Sequence, residues 1–273
     1  MTAFNIREYE PADIPALTAL WARTFGDSEG LIGAFFRLLP DMGSGAVAVK
    51  DGQVIGAAYV ITGLELAGAG AKPPVCGYIY AVAVDEAHRH LGAGRALTLA
   101  AAQLGRGRGA EIICTLPAEL SLYGWYRDIL GVDCALRRKT HFIRSAAVDP
   151  CMKLSASEYG LWRENMLMGR AHLRLSCSSL EFARLLCEEY GGGLFACGSG
   201  IAAAFKDESR GIIRELICRD DGERDHVAAS IGAALGTEHV LVFEPASGGE
   251  GEPYIAALPG AVPPDCIWNL SFD

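Results

Sequence analysis

The segment HRHLGAGRAL, His88–Leu97, determines which fold and which ligand this sequence predicts. It lies between YIYAVAV (78–84), an apolar run typical of a buried strand, and an alanine- and leucine-rich run typical of a helix. The first backbone N–H groups of a helix have no intrahelical partner, and the helix dipole favours a negative charge there. Glycine lets a phosphate approach that backbone closely, and arginine adds positive charge. The segment therefore predicts a cradle for a diphosphate.

Two other phosphate-binding patterns fit this segment less well. A Walker loop needs a Lys-Ser/Thr pair, and none follows here. A dinucleotide-binding turn needs a third glycine where Leu97 stands, and its first glycine directly after the strand, whereas Gly92 lies eight residues past Val84. A glycine-rich helix start that binds no ligand is the structural alternative.

The composition indicates a soluble, cytoplasmic protein of one large or two small domains. The chain has 273 residues, of which 51% are hydrophobic, enough to bury a sizeable core. Charged residues stand near the N-terminus where the apolar part of a signal peptide would lie, and no run approaches the roughly 20 apolar residues of a membrane span. The nine cysteines form no CxxC motif, so free thiols and no metal site are expected.

The charges are distributed unevenly along the chain. Residues 1–145 contain 14 basic and 14 acidic side chains, whereas residues 146–273 contain 10 basic and 19 acidic ones. An acidic surface disfavours nucleic acid and attracts cations. The second half therefore favours a cationic partner, although acidity that serves only solubility explains it equally well.

The two halves of the sequence follow a similar order of elements. In the first half a strand, two helices and a hairpin turning at Asp51-Gly52 precede YIYAVAV, and EIICTL, a helix and CALRRKTHFIR follow the glycine loop. In the second half, strand and helix patterns lead to a hairpin, GLFACGSGIAAAFK, then GIIRELICR, a helix, HVLVFEP and a terminal CIWNLSF. We expect two domains, 1–146 and 147–273, with the boundary in SAAVDPCMKLS.

Arg89-x-x-Gly92-x-Gly94 after AVAV resembles the acetyl-CoA motif of the GNAT superfamily of N-acetyltransferases, Q/R-x-x-G-x-G/A. WYRDILGV (125–132) resembles the FYEKLGF motif of that family, with one extra residue before the glycine, and the resemblance covers roughly residues 4–144. It implies an α/β (α+β) fold in which helices flank a mixed, mostly antiparallel sheet. With the repeated order of elements, the prediction is a tandem of two related domains.

The resemblance also implies where acetyl-CoA, as co-substrate, would bind. The pantetheine arm would lie in a splay between YIYAVAV and EIICTL, held by backbone groups of Val82 and Val84 that a bulge in the strand would free. The N–H groups from His90 to Arg95 would hold the diphosphate. The predicted cofactor-binding residues are Val82, Ala83, Val84, Arg89, His90, Leu91, Gly92, Ala93, Gly94 and Arg95.

In the family pattern, Tyr126 matches the tyrosine that protonates the sulfur of CoA. A phenol suits this step because it stays protonated at neutral pH. The alternatives are that Tyr126 only packs, or that Tyr123, on the same helical face, takes its place. No general base is assigned: Asp85 and Glu86 are expected on the exterior of the loop, and the C-terminal carboxylate of Asp273 is an option because it serves in related multidomain acetyltransferases.

The second half should not bind CoA. Where a second phosphate loop would lie, it has DDGERDH (220–226), with four carboxylates and one glycine. We predict a degenerate copy that completes the fold. Whether its acidic residues wall the acceptor pocket stays open, since acidic residues at a solvated helix start are at least as good an explanation.

The predicted function is an N-acetyltransferase that moves an acetyl group to a primary amine of a small molecule or peptide. A cationic acceptor such as a polyamine, an aminosugar or a lysine side chain would suit the acidic half. The alternatives are a catalytically inactive CoA-binding module with a regulatory or assembly role, and a structural dimerisation protein. Neither the acyl-chain length nor the oligomeric state can be deduced from the sequence.

Overall fold

The structure is a computed structural model that describes residues 4–68, 70, 72–246, 249–268, 270 and 272. These residues form two compact units. Unit 1 holds residues 4–66, Lys72–Ala135 and Tyr254–Val262. Unit 2 holds Leu136–Pro253 together with the described residues of 67–71 and those from Pro263 onward.

The described residues form seven α-helices and thirteen strands. The helices are α1 (Ile14–Phe25), α2 (Glu29–Met42), α3 (Ala93–Gly107), α4 (Ser121–Leu130), α5 (Ala156–Met166), α6 (Cys177–Glu189) and α7 (Arg224–Leu235). The strands are β1 (Asn5–Glu8), β2 (Gly43–Lys50), β3 (Gln53–Ala67), β4 (Val75–Val84), β5 (Ile112–Thr115), β6 (Asp133–Arg144), β7 (Cys151–Leu154), β8 (His172–Leu175), β9 (Gly193–Cys197), β10 (Gly200–Asp207), β11 (Arg210–Cys218), β12 (His239–Ala246) and β13 (Glu252–Ala257). Within the described residues, no helix is both long enough and apolar enough to cross a bilayer.

In unit 1 the strands lie in the order β1-β2-β3-β4-β5-β13. The pairs are antiparallel except β4 with β5, which are parallel. The predicted hairpin is confirmed: β2 and β3 join at Asp51 and Gly52, whose φ angles of 49° and 79° suit a tight hairpin turn. The mixed, mostly antiparallel sheet flanked by helices is therefore the predicted fold class.

Helix α3 covers one face of this sheet with small and branched apolar side chains. Leu97 and Ala101 are fully buried against Ala46, Ala58 and Val60 of β2 and β3. Because alanine side chains on both partners allow a close approach, α3 lies tightly on the sheet. This packing fixes the start of α3, and hence the glycine loop, relative to the end of β4.

In unit 2 the strands lie in the order β7-β9-β10-β11-β12-β6. As in unit 1, the fourth and fifth strands in this order, β11 and β12, are parallel, and the other neighbouring pairs are antiparallel. The order of strands is therefore the same in both units. In each unit the sixth strand comes from the other half of the sequence, because β6 follows α4 in the chain and β13 follows β12.

Because of this exchange of strands, the structure differs from three expectations drawn from the sequence. The compact units divide at Ala135–Leu136 and not after residue 146, because β6, predicted to close the first sheet, pairs with β12 over Arg137–Arg144. The strand that joins the sheet of unit 1 is β13, from the unpredicted run EPYIAA. The predicted strand CIWNLSF contributes only a single bridge, from Ile267 to His172, within the described residues.

The expectation of free thiols is wrong for one pair of cysteines. Cys151 and Cys197 are joined by a disulfide, with their Cα atoms 4.4 Å apart. They stand directly opposite each other on the antiparallel strands β7 and β9. Their 46-residue separation in sequence matches no motif, so only the strand pairing brings them together.

A buried ionic cluster holds α5 against the sheet of unit 2. Glu215 on β11 is fully buried and accepts hydrogen bonds from Arg163 Nε at 2.9 Å and Nη2 at 3.0 Å. The hydroxyl of Tyr159 donates to the same carboxylate at 2.9 Å. Burial, followed by the charge of Glu215, raises the pKa of Tyr159 well above its usual value, so the phenol remains a donor.

Replacing Tyr159 by phenylalanine should reduce the free energy of unfolding by about 1.5–3 kcal/mol, because the buried carboxylate loses a hydrogen-bond donor. Urea unfolding at neutral pH, followed by circular dichroism, measures this loss. A loss below about 0.5 kcal/mol, the level of ordinary surface substitutions, would contradict the stabilising role of the Tyr159 hydroxyl.

Candidate functional site

The predicted cradle lies between β4 and α3. Asp85 accepts a hydrogen bond from the N–H of Ala87 at 3.1 Å and so caps a short 3-10 turn over Glu86–His88. His90 and Gly92 then adopt positive φ angles of 68° and 82°, and α3 begins directly after Gly92. Residues with positive φ alternating with ordinary ones turn successive N–H groups toward the same side, an arrangement that binds anions.

The backbone of this loop is open to a ligand. Gly92 precedes α3 and has no side chain to cap the free N–H groups of the first turn. A Cβ atom placed on Gly92 would meet no atom within 4 Å. One placed on Gly94 would contact Trp125 at 3.7 Å and Val84 at 3.8 Å. The space around both glycines can therefore admit a phosphate.

Both arginines of the predicted motif are exposed at this loop. Arg89 Nε donates to the carbonyl of Val84 at 3.4 Å, and Arg95 Nη1 donates to the carbonyl of Asp128 at 3.3 Å. Within the described residues, neither guanidinium forms an ion pair with a carboxylate. Both positive charges are therefore available to an anionic ligand.

A splay opens beside β4 where the sequence predicts it. The parallel pairing of β4 with β5 runs from Cys76–Ile112 to Ile79–Thr115 and ends there, because β5 stops at Thr115. β4 continues through 81–84 without a partner on that side among the described strands. This stretch can hydrogen-bond to an extended ligand as if to an added strand.

The predicted bulge lies within this stretch. Ala57 pairs with Ala83 and Tyr59 pairs with Tyr80, so two steps along β3 correspond to three along β4. Ala81 absorbs the extra residue with a φ of 48°. The bulge turns backbone groups at residues 81–82 out of the ladder, toward the position predicted for the thioester.

Tyr126 is buried in α4, with 7% of its surface exposed. It packs with Tyr123, Val132 and Ala256. Burial raises the pKa of Tyr126, and the Thr115 side chain acts in the opposite direction. The phenol is therefore protonated at neutral pH, as an acid must be.

Tyr123 has a different environment from Tyr126. Its hydroxyl donates to the carbonyl of Tyr254 on β13 at 2.9 Å, in the interior of unit 1. This bond ties α4 to β13, which pairs with β5 through Ala256–Thr115 and Ala257–Cys114. Since its proton is used in this bond, Tyr123 is a poorer candidate for the acid than Tyr126.

The carboxylates near the loop are engaged elsewhere. Asp85 pairs with Arg23 at 3.1 Å, and its pKa is lowered, first by the N–H of Ala87. A carboxylate with a lowered pKa is a weak base. Glu86 is exposed, and Asp273 lies outside the described residues. None of these positions gives a reason to assign a general base.

The corresponding region of unit 2 has a different structure. β11 and β12 pair only over Gly211–Ile213 and Val240–Val242, so a splay opens there too. Arg224, the first residue of α7, spans it: its Nη1 donates to the carbonyl of Leu216 at 3.3 Å and its Nη2 to Glu244 at 3.0 Å. An ion pair therefore lies across the groove that remains open in unit 1.

Sequence reasoning missed two features of the site. One is β13, whose contacts position α4; an apolar run bounded by prolines, PYIAALP, was the available signal. The other is Thr115, which is 1% exposed at the end of β5 and donates to the carbonyl of Ile79 at 3.1 Å. No pattern marks a threonine at the end of a short buried strand as part of a site.

Comparison with known proteins shows what this chain is similar to. Residues 12–131 match the model of the acetyltransferase (GNAT) family, and no curated protein matches the chain. Among solved structures, a conserved protein of unknown function from Enterococcus faecalis V583 has 12% identity and a TM-score of 0.71, and the match covers 94% of this chain and 72% of that one.

Two further structures are similar over nearly the whole chain. A GCN5-related N-acetyltransferase from Kribbella flavida has 14% identity and a TM-score of 0.66, with 93% of this chain and 71% of that one covered. Another from Anabaena variabilis has 14% identity and a TM-score of 0.67, with 93% and 72% covered. These similarities establish the fold, and residues 12–131 of this chain are similar to the acetyltransferase (GNAT) family, whose model they match.

Proposed function

We propose that unit 1 is an acetyl-CoA-dependent N-acetyltransferase that transfers the acetyl group to a primary amine by direct attack. The observation that carries the proposal is the open groove along residues 81–84 of β4, which leads to the N–H groups of His90–Arg95, in a region that matches the model of an acetyltransferase family. This groove would bind two parts of CoA, the diphosphate at one end and the extended pantetheine arm at the other.

Each predicted residue has a role in this proposal. The N–H groups of the loop and the start of α3 bind the diphosphate, and Arg89 and Arg95 add positive charge. Backbone groups of Val82 and Val84 bind the pantetheine arm and the thioester. A backbone N–H freed by the bulge at Ala81 stabilises the negative charge that develops on the thioester oxygen.

In the reaction, the nitrogen of a neutral amine attacks the thioester carbon, the carbon–sulfur bond breaks, and Tyr126 donates its proton to the departing sulfur. The nitrogen loses one proton to water, and Tyr126 regains a proton from water. The products are an N-acetylated amine and free CoA. The raised pKa of Tyr126 keeps the acid protonated before the reaction.

Unit 2 is a degenerate copy of unit 1 that does not bind CoA in this proposal. It has the same strand order, but Arg224 and Glu244 span its groove and acidic residues occupy the loop before α7. Negative charge at that loop repels a diphosphate. The excess of acidic residues after residue 145 favours a cationic amine as the acceptor of unit 1.

The test is turnover of the full-length chain with acetyl-CoA and a panel of primary amines that includes a polyamine, an aminosugar and a lysine-containing peptide. Mass spectrometry detects the acetylated amine, and chromatography detects free CoA. Calorimetric binding of acetyl-CoA with no turnover of any amine would favour a CoA-binding module without catalysis. Absence of both binding and turnover would refute the proposal.

A further inference from the structure

The solvent-facing side of α5 in unit 2 carries a patch of exposed apolar side chains. Leu161 and Trp162 on this helix are 73% and 40% exposed, and Met168, in the turn that follows it, is 76% exposed. Single exposed apolar side chains are normal on a protein surface, whereas a cluster of them is typical of a surface that contacts another molecule. We call these three side chains, together with the exposed Asn165 between them, the α5 patch.

The α5 patch stands between two grooves. Leu161 and Asn165 line both of them. The larger groove, of about 440 Å³, lies toward β8 and is also lined by Met168. The smaller groove, of about 300 Å³, is also lined by Trp162 and Met166. Helix α5 therefore presents a ridge with a groove on each side, a shape that can receive the same ridge of another copy.

The polar groups of the larger groove already bind one another. Glu164 accepts a hydrogen bond from Arg174 Nε at 2.8 Å, and its carboxylate lies 3.2 Å from His172 Nε2. The other ring nitrogen of His172 lies 2.8 Å from the carbonyl oxygen of Arg170. Because these groups satisfy one another, the groove offers little to a small polar ligand. The apolar ridge, and not the floor of the groove, is the feature that favours a partner.

The two ends of the α5 patch carry opposite charges. Glu158 is exposed in the first turn of α5, one helical turn before Leu161, and its Oε2 accepts from the Ser155 N–H at 2.9 Å and hydroxyl at 2.7 Å. These bonds, first the one from the hydroxyl, lower the pKa of Glu158, so the carboxylate is charged at neutral pH. Arg170 is exposed beyond the other end, and within the described residues its guanidinium forms no ion pair.

The order of these side chains suits pairing with an identical copy. In an isologous dimer, residue i of one copy contacts residue j of the other, and j contacts i. If two α5 helices run antiparallel and cross near Asn165, Glu158 of each copy faces Arg170 of the other, and Leu161 faces Met168. The carboxamide of Asn165, which can both donate and accept, then lies opposite its own copy.

We propose that a second copy of this chain docks on the α5 patch, with the two α5 helices antiparallel about a two-fold axis near Asn165. Pairing would bury the apolar side chains of both copies and bring two pairs of opposite charges together. A partner with charge of one sign would match only one end of the patch, whereas the chain itself matches both ends. The proposal does not rest on the proposed acetyltransferase activity.

Sedimentation velocity of the full-length chain over a range of concentrations tests the proposal. The wild type should sediment as a dimer, and Leu161→Glu should weaken dimerisation at least about 100-fold, because each copy would bury a carboxylate among apolar side chains. Phe142→Glu is the matched control, since Phe142 on β6 is 63% exposed and lies outside the patch. It should dimerise like the wild type.

Three results would overturn the proposal. The first is a wild type that stays monomeric at the highest concentration, which would leave the α5 patch to a partner of another kind. The second is a Leu161→Glu variant that dimerises as tightly as the wild type. The third is an equal loss of dimerisation in Leu161→Glu and Phe142→Glu.

Charge reversal tests the antiparallel arrangement. Glu158→Arg and Arg170→Glu should each weaken dimerisation about 10-fold, because like charges then face each other in both contacts. The double variant should return to within about threefold of the wild type. The hydrogen bonds from Ser155 are lost in Glu158→Arg and in the double variant alike, so recovery in the double variant reports only the contact between copies. Circular dichroism checks that each variant is folded, and a folded double variant that shows no recovery would overturn the proposed arrangement.

Discussion

Replacing Gly92 by glutamate is expected to weaken the binding of acetyl-CoA at least about 100-fold, because a carboxylate would occupy the space that the diphosphate needs and would repel its charge. Gly92 stands directly before α3 with a φ of 82°, and its Cβ position is open. The side chain therefore has room to enter the cradle without disturbing other atoms. Isothermal titration calorimetry with acetyl-CoA and with CoA measures the effect.

Gly52→Glu is the matched control for this variant. Gly52 also has a positive φ, 79°, with no atom within 4 Å of its Cβ position, but it lies in the turn between β2 and β3. Both variants force glutamate into a left-handed conformation, at a cost of about 1 kcal/mol each. Only Gly92→Glu should lose affinity for acetyl-CoA. Equal affinity of Gly92→Glu and wild type would place the diphosphate elsewhere and contradict the proposed cradle.

The sequence was sufficient for those parts of the site that are local in the chain. The end of β4, the turn and the start of α3 lie within a few residues of one another, so the spacing of glycine and arginine is enough to indicate a cradle. The bulge followed from the same resemblance, although only the register of β3 and β4 places it at Ala81. Local patterns reflect local backbone requirements, which can be read directly from the sequence.

The parts that failed depend on contacts between distant segments. β6 has the pattern of a strand, but nothing in that pattern says that it pairs with β12 and that β13 pairs with β5. Tyr123 and Tyr126 share a helical face, so their spacing could not separate them. The bond from Tyr123 to the Tyr254 carbonyl does so, because it uses the Tyr123 proton 131 residues away in the chain.

The exchange of strands has a consequence for the site. The last strand of unit 1 comes after β12 in the sequence, and it contacts both α4 and β5. The groups that position Tyr126 are therefore complete only when the second half of the chain has been made. In the proposed arrangement, a second copy that binds no CoA still contributes a strand to the sheet of unit 1.

Replacing Tyr126 by phenylalanine should lower kcat about 10²- to 10⁴-fold and leave the affinity for acetyl-CoA nearly unchanged, because the hydroxyl acts on the sulfur only as the carbon–sulfur bond breaks. Steady-state kinetics together with calorimetry separates the two effects. Tyr123→Phe is the comparison, since its hydroxyl is bonded to a backbone carbonyl of β13 and should affect stability more than kcat. A loss of kcat in Tyr123→Phe that exceeds the loss in Tyr126→Phe would reverse the assignment of the acid.

The pH dependence of kcat provides an independent check of the acid. An amine acceptor becomes neutral, and so reactive, as the pH rises toward its reference pKa of about 10.4. Burial raises the pKa of Tyr126 above its usual value of 10, so the protonated acid persists below that raised pKa and is lost as the pH rises through it. Wild-type kcat should therefore increase through neutral pH and decrease only under more alkaline conditions than an ordinary tyrosine would give. Tyr126→Phe should keep the increase of kcat through neutral pH and lose the decrease at alkaline pH. If the alkaline decrease persists in Tyr126→Phe, the ionisation belongs to another group, and so does the role of the acid.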